Sequence, residues 1–300
     1  MINFKPITLS DKQSIDNCLK NNIFCTCDFC FTNLVAWQAK FKTCFAVVDE
    51  TLFVRYQEEN REFYYFLPIG KIPLKKSLAL IIRDAEKNAI PLKIKIVGEQ
   101  MWAHIENEMP NIFQFSYDRN NDEYIYLSEK LITLKGKKLQ SKRNHINRLK
   151  SENADWSYLP ISTAEELQEC SSMLDAWENL NIGKAEKSLR YDYIAIKMIL
   201  KNFRFLQLRG GIIRINDKIA AFTIGERLTN DTFVIHVEKA FGDIQGAYPI
   251  INQQFAQNEI TDAYTYINRE EDMGLEYLRK AKMSYYPDNL LKARILRLKT

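Results

Sequence analysis

What most restricts the fold of this 300-residue chain is a repeated order of elements: its two halves read alike in periodicity while sharing little residue identity. In the first half, residues 2–8 alternate as a strand, and Leu9-Ser10-Asp11 caps a helix running to Lys20. A second helix opens in Phe31-Thr32-Asn33-Leu34-Val35-Ala36-Trp37, with Thr32 or Asn33 as its cap and Leu34, Trp37 and Phe41 facing inward. Strands follow at 43–48, 51–57 and 62–67, the last ending in Pro68-Ile69-Gly70-Lys71, whose composition suits a phosphate-binding turn. A helix at 75–88, a strand at 92–97, a helix at 99–108 and strands at 112–117 and 123–127 complete this half.

The second half has a strand at 156–160 and a helix from Thr163, where Glu166 completes a capping box. A polar, glycine-containing loop leads to a helix at 191–201. Three strands come next, at 205–215, 218–227 and 231–239, the first two joined by Asn216-Asp217 as a tight turn. The loop 241–246 opens a helix ending near Asn258, followed by a strand at 263–267 and a last helix. Two passes through the same order predict a duplicated mixed α/β domain: 1–134, a basic linker helix at 135–150, and 151–300.

Charge narrows the partners. A net charge of 42 − 38 = +4 does not describe a dedicated DNA-binding protein, but it leaves room for one local basic surface. No apolar run approaches the roughly 18 residues that a membrane span needs. The start, MINFKPITLS, lacks the pattern of a signal peptide, so a cytoplasmic protein is expected. Cys25, Cys27 and Cys30 form a C-x-C-x-x-C cluster that Cys18 or Cys44 would have to complete for zinc. The spacing is not that of two C-x-x-C pairs and no histidine is near, so reduced thiols and no metal are expected.

The basic surface is the linker itself. Residues 135–150, KGKKLQSKRNHINRLK, hold seven Lys or Arg, one His and no acid. Leu139, Ile146 and Leu149 form an apolar stripe that includes Arg143, while Lys138, Lys142 and His145 share a neighbouring face. The segment reads either as a solvated linker helix or as a phosphate-facing surface, since clustered cations displace counterions from a polyanion. Arg143 is the sharper candidate for an anionic partner, because an unpaired buried guanidinium is costly. Asn144 and Asn147 flank it as polar contacts.

The richest stretch is 266–287, YINREEDMGLEYLRKAKMSYYP. It places Asn268 through Asp272 in consecutive positions beyond a strand, then a helix with Met273, Leu275, Leu278 and Ala281 as a buried stripe. Strand ends are where open α/β sheets bind ligands. Acids before the helix and Lys280 and Lys282 in its last turn also suit the helix dipole, which is the plainer reading.

FTNLVAW (31–37), KGKKLQSKRNHINRL (135–149), HVEKA (236–240) and YINREEDMGLEYLRKAKMSYYP (266–287), in that order, resemble a bacterial family of unknown function. That family is related to the C-terminal domain of phosphatidylglycerol lysyltransferase. The resemblance covers nearly the whole chain and implies two tandem GNAT-like acyltransferase domains, similar to the Fem-type aminoacyltransferases. It implies transfer of an aminoacyl group, with aminoacyl-tRNA or another phosphate-bearing molecule as donor. A small molecule, a lipid or a peptidoglycan precursor would be the acceptor. The alternatives are a non-catalytic ligand-binding module on the same fold and an acyl-CoA-dependent N-acyltransferase. GNAT domains hold the pyrophosphate of acyl-CoA on an R-x-x-G-x-G/A turn. Here Phe241-Gly242-Asp243-Ile244-Gln245-Gly246 lacks the arginine and the middle glycine and adds Asp243, so acyl-CoA is not an expected cofactor.

The resemblance also assigns roles. Glu238 stands where a GNAT sheet carries a general base, or it pairs with Lys239, Arg269 or Lys282 as scaffold. His236, two residues earlier, contacts substrate or is a satisfied core histidine. Lys282 would stabilise the oxyanion or an acceptor phosphate, and Arg269 and Asp272 would position the acceptor. Tyr285 is a hydrogen-bond donor to the leaving group or a wall of the pocket. Glu270 and Glu271 would favour the amino group of the donor, with Asn268 as a further substrate contact; Lys138, Lys142 and Arg143 would meet its phosphates, with Asn147 as a substrate-binding polar contact beside them.

Overall fold

Side-chain alternation and caps build the first layer of the computed structural model, which describes residues 2–20, 22–181, 187–260 and 263–299. Strand β1 (Lys5–Pro6) is followed by α1 (Lys12–Leu19), whose approach is held by Asp11 accepting from the Thr8 backbone N–H at 2.9 Å. Short helices α2 (Phe31–Ala36) and α3 (Gln38–Phe41) precede the antiparallel strands β2 (Cys44–Val48), β3 (Thr51–Gln57) and β4 (Phe63–Phe66). Next come β5 (Ile69–Gly70), α4 (Leu74–Lys87), β6 (Ile94–Val97), α5 (Glu99–Glu108) and β7 (Phe113–Tyr117). In α4 the stripe Leu74, Leu78, Ile81 and Ala85 is buried, as the helical period requires.

The segment Pro68 to Lys71 is drawn into the sheet. Ile69 and Gly70 pair with Leu52 and Thr51 of β3. A Cβ at Gly70 would lie 2.2 Å from the Glu50 carbonyl oxygen, so the glycine serves close strand contact.

The chain continues through β8 (Glu123–Leu127), α6 (Ser128–Thr133), α7 (Gln140–Glu152), β9 (Ser157–Pro160), α8 (Ala164–Asn181), α9 (Lys187–Lys201) and α10 (Phe203–Leu206). The α8 capping box forms as expected, with the Glu166 amide donating to Thr163 Oγ1 at 3.1 Å and the Thr163 amide donating to Glu166 at 2.9 Å. The glycine-containing loop expected before the next helix falls on residues 182–186, outside the described residues. Where a strand was expected from 205, α10 comes first and ends at Gln207 in a left-handed conformation, φ 60°.

Strands β10 (Arg209–Ile215), β11 (Lys218–Arg227) and β12 (Thr232–Ala240) form the second antiparallel meander. Asn216 and Asp217 both take positive φ, 49° and 59°, as the two-residue hairpin demands. Then follow α11 (Ala247–Phe255), β13 (Tyr266–Glu271), α12 (Glu276–Met283), β14 (Asn289–Leu291) and β15 (Ala293–Leu298). Phe233 of β12 meets Phe255 of α11 and Tyr264, with centroids 5.9 and 5.4 Å apart, in the core of this half.

Both sheets are mixed and have the same plan. The first runs β1-β2-β3-β4-β6-β15-β7, with β5 on β3; the second, read from its other edge, runs β9-β10-β11-β12-β13-β8-β14. In each, one parallel neighbour follows the meander, β6 beside β4 and β13 beside β12. The strand next to it comes from the far part of the sequence: β15 in the first sheet, β8 in the second. Each half thus gives one strand to the other half's sheet. The compact units interleave accordingly: one comprises the residues to Glu123, Glu271–Arg279 and those from Leu290; the other comprises Tyr124–Glu270 and Lys280–Asn289. Boundaries at 134 and 150, read from chain order, run consecutively instead. Among the described residues, no helix is long and apolar enough to cross a membrane.

Candidate active site

The polar centre of the second unit grows from the place where β12 and β13 stop pairing. Their parallel ladder matches Thr232, Phe233 and Val234 with Tyr266, Ile267 and Asn268. Two backbone devices re-aim the residues that follow. On β12, Ile224 pairs with Val237 and Gly225 with Ile235, leaving His236 as the extra residue of a bulge. A Cβ at Gly225 would lie 2.2 Å from the Val234 carbonyl oxygen, so only glycine tolerates this approach. On β13, Glu270 is left-handed at φ 57°, and its amide donates to Asn268 Oδ1 at 2.7 Å.

Side chains then bridge the strands. Arg269 Nη2 donates to Glu238 Oε1 at 2.9 Å, and Asn252 of α11 donates through Nδ2 to Glu238 Oε2 at 2.8 Å. The Arg269 and Glu238 side chains are 8% and 12% exposed. The guanidinium lies 4.8 Å from the Tyr285 ring centroid and 5.6 Å from that of Tyr126. Burial works against its charge, but Glu238 and the two phenols outweigh it and hold Arg269 protonated. Burial pushes the phenols of Tyr126 and Tyr285 well up, so both stay neutral at physiological pH.

Two polar atoms of this cluster are buried and have no hydrogen-bond partner among the described residues: Arg269 Nη1, a donor, and Asn252 Oδ1, an acceptor. A buried donor left unsatisfied costs about 1–3 kcal/mol, which a ligand accepting from it would recover. Lys142 of α7 completes the cluster, its Nζ 4.2 Å from the Tyr285 ring centroid. Helix α7 is brought close by Gly246, left-handed at φ 93°, where a Cβ would lie 2.5 Å from the His145 carbonyl oxygen. That contact buries Gly246, the residue that precedes α11. Gly246 therefore serves helix contact.

Of the residues singled out from sequence, Glu238, Arg269, Tyr285 and Lys142 come together. Others are engaged elsewhere. Arg143, the sharper phosphate candidate, donates to the carbonyl oxygens of Leu134 and Gly136 and to Gln140, so it closes the end of α6. Its expected cost of burial is met locally. Lys138 lies over the Tyr286 ring at 5.3 Å, and Asn147 is exposed on α7. His236 sits between Glu270, 2.8 Å from Nδ1, and Glu226, 3.0 Å from Nε2, as a satisfied buried histidine. Asn268 is buried and turned to the backbone of Glu270.

Asn268 to Glu271 lie within β13 instead of beyond the strand, and the final helix begins only at Glu276. Its buried position is Lys282, above the Tyr124 ring at 5.7 Å, whereas Ala281 is exposed; the expected apolar stripe is therefore displaced. The Lys282 carbonyl oxygen accepts from the Tyr126 hydroxyl at 2.7 Å. Asp272 and Glu271 belong to the first unit. Asp272 accepts from Arg279 twice at 2.9 Å, from Arg119 at 3.2 Å and from the Gly274 amide at 2.9 Å, and this saturation ties it to scaffold, not to an acceptor. Glu271 accepts from the Cys27 thiol at 3.6 Å.

Sequence reasoning passed over Asn252 and Tyr126. Asn252 had a legible signal, a lone amide on the apolar face formed by Ile251 and Phe255 of α11. Tyr126 had none, since an aromatic in a β-rich run reads as core.

A family model described as phosphatidylglycerol lysyltransferase, C-terminal, matches residues 25–294. A conserved protein of unknown function from Bacteroides thetaiotaomicron is 41% identical, with a TM-score of 0.92 over 100% of both chains. The L-PGS structure from Bacillus licheniformis has a TM-score of 0.58 at 15% identity, covering 85% of this chain and 83% of that one, a likeness of fold. An uncharacterised protein of Mycoplasmoides gallisepticum is 24% identical over 186 residues, 60% of this chain, and the match spans 57% of that protein's length.

Proposed function

The chain belongs to the phosphatidylglycerol lysyltransferase C-terminal family, and on that premise we propose that it is an acyltransferase of the aminoacyl-transferring type. It takes an aminoacyl group from aminoacyl-tRNA and passes it to an amine or hydroxyl of a small molecule, a lipid or a peptidoglycan precursor. The observation that carries this reading is the Arg269 guanidinium, buried, anchored by Glu238, and with Nη1 lacking a partner among the described residues. Attack on an acyl carbon turns its carbonyl oxygen into an oxyanion. A fixed, poorly hydrated donor meets that charge without reorganising, and removing such a donor costs about 100- to 1000-fold in rate.

Glu238 then has a different task from the one its position suggests. With both oxygens engaged, it holds Arg269 and keeps the guanidinium plane fixed. Asn252 Oδ1 offers an acceptor next to that carboxylate, suited to the protonated amino group of an aminoacyl donor. The exposed cations of the 135–150 segment supply a surface for the tRNA backbone. The loop 241–246, without the arginine and middle glycine and with Asp243 added, argues against acyl-CoA as donor.

The test is binding to charged tRNA, uncharged tRNA and acetyl-CoA across a salt series, followed by release of the labelled amino acid to added acceptors. The reading expects preference for charged tRNA, weakening steeply with salt. Tight acetyl-CoA binding without tRNA affinity would replace it with a CoA-dependent acyltransferase. Ligand binding without transfer would favour the non-catalytic module.

A further inference from the structure

If Glu238 anchors the guanidinium, the reaction still needs a group to move a proton. The candidates in the second unit are few. Both Glu238 oxygens are engaged, and both ring nitrogens of His236 face carboxylates. The phenols of Tyr126 and Tyr285 are pushed up by burial and hold their protons. Lys282 lies over the Tyr124 ring, whereas Lys142 shares the Tyr285 ring with the guanidinium, at 4.2 Å, and its amine forms no hydrogen bond or ion pair among the described residues.

We propose that Lys142 is the proton-transfer group of this site, resting on the acyl-transfer reading above. The acceptor oxygen or nitrogen bonds to the acyl carbon and loses its proton to the neutral Nζ. The bond from the acyl carbon to the ribose oxygen of the donor breaks, and the same proton passes from Nζ to that oxygen. Lys142 ends neutral, and no other oxidant, reductant or base is consumed. Arg269 bears the oxyanion between these steps.

The surroundings lower the cost of deprotonating this amine. Burial lowers the proton affinity of Lys142 first, and the positive Arg269 on β13 lowers it further; Glu238 on β12 opposes both. The ring face of Tyr285, like Glu238, favours the charged form, and Tyr126 adds no charge, so burial and Arg269 are what lower the proton affinity. Just before α7 Lys138 lies over the Tyr286 ring, on α7 His145 hydrogen-bonds Gln245 at 3.1 Å, and the acid of that helix, Glu152, pairs with Arg148 at 2.7 Å. An amine whose proton affinity is lowered in this way is a better base than an exposed lysine.

The test requires no substrate. Trace acetylation of the intact wild-type protein over a pH series, read peptide by peptide by mass spectrometry, gives a reactivity midpoint for each lysine. The midpoint of Lys142 is expected below those of Lys71 and Lys135, whose side chains are 72% and 78% exposed. A midpoint at or above theirs overturns the proposal. A second arm uses Lys142→Arg with charged tRNA: binding should persist while transfer falls about 100-fold or more. Retained transfer overturns the proposal as well. Absence of transfer in the wild type would instead refute the acyl-transfer reading, and the labelling midpoint would still judge Lys142 by itself.

Discussion

Each unit buries one cation on the strand that runs parallel to the end of its meander, and the two are finished differently. In the first unit Lys95 of β6 stands opposite Phe66 of β4, and its Nζ meets Asp28 Oδ1 at 3.0 Å and Oδ2 at 2.9 Å. Burial opposes its charge, yet Asp28, helped by Tyr56, Glu271 and Cys27, outweighs that and holds Lys95 above the usual lysine range. In the second unit Arg269 follows Asn268, the last residue of its own parallel ladder, and Glu238 engages only Nη2. Nη1 has no partner among the described residues, and the amine of Lys142 shares the Tyr285 ring with this guanidinium. The two cations stand at comparable but not identical places, Lys95 paired within its ladder and Arg269 one residue past the end of its own. Of these two cations only Arg269 keeps a donor to offer a ligand; Arg55 Nε and Arg294 Nη1 of the first unit are also buried without a partner among the described residues, and it is beside Lys142 and Glu238 that we place the chemistry.

The largest effects should come from erasing either cation. Arg269→Met leaves Glu238 buried without its charge partner, and Lys95→Met does the same to Asp28; each should cost about 3–5 kcal/mol of stability. Hydrogen exchange should report the loss on β13 in one case and on β6 in the other. Equal loosening of both strands by either change would mean that the comparison is drawn wrongly.

Gly246→Ala should be next, at roughly 2 kcal/mol, because it adds a Cβ to a left-handed residue 2.5 Å from the His145 carbonyl oxygen. Pushing α7 away should also shift the Lys142 acetylation midpoint upward. A fully stable variant with an unchanged midpoint would show that α7 is not held as described.

Lys142→Met should stabilise the protein by on the order of 1 kcal/mol near neutral pH, since a disfavoured charge is removed. The sign follows from linkage. A lysine whose folded pKa is lowered penalises folding below that pKa, and the penalty fades as pH rises through it toward the unfolded value of about 10.4. The gap in thermal midpoint between variant and wild type should therefore shrink from neutral to alkaline pH. A gap that widens would reverse the assignment. Smallest of all, Lys138→Ala should lower the salt slope of tRNA binding by about 0.7–0.9 for each phosphate it no longer neutralises, without changing the fold.

The order of elements was legible because strand alternation, caps and the Asn216-Asp217 turn are local signals. The exchange of β8 and β15 was not, since chain order says nothing of which sheet a last strand joins. Arg269 and Lys142 were found as charges in motifs, but Arg143 and Asp272 looked equally promising. What separates them is the partner supplied by distant chain: carbonyl oxygens after α6 for Arg143, Arg119 and Arg279 for Asp272. A sequence shows that a charge is present; only packing shows whether it is already satisfied.

The most direct measurement is transfer of a labelled amino acid from charged tRNA by three proteins: wild type, Arg269→Lys and Lys95→Arg. Both changes keep the charge, but only the first removes the spare guanidinium nitrogen at the second unit's strand. Arg269→Lys should stay folded and lose about 100-fold or more in rate, while Lys95→Arg should transfer at close to the wild-type rate. Unimpaired transfer by Arg269→Lys, or loss of transfer by a folded Lys95→Arg, would contradict the assignment of the chemistry to the second unit.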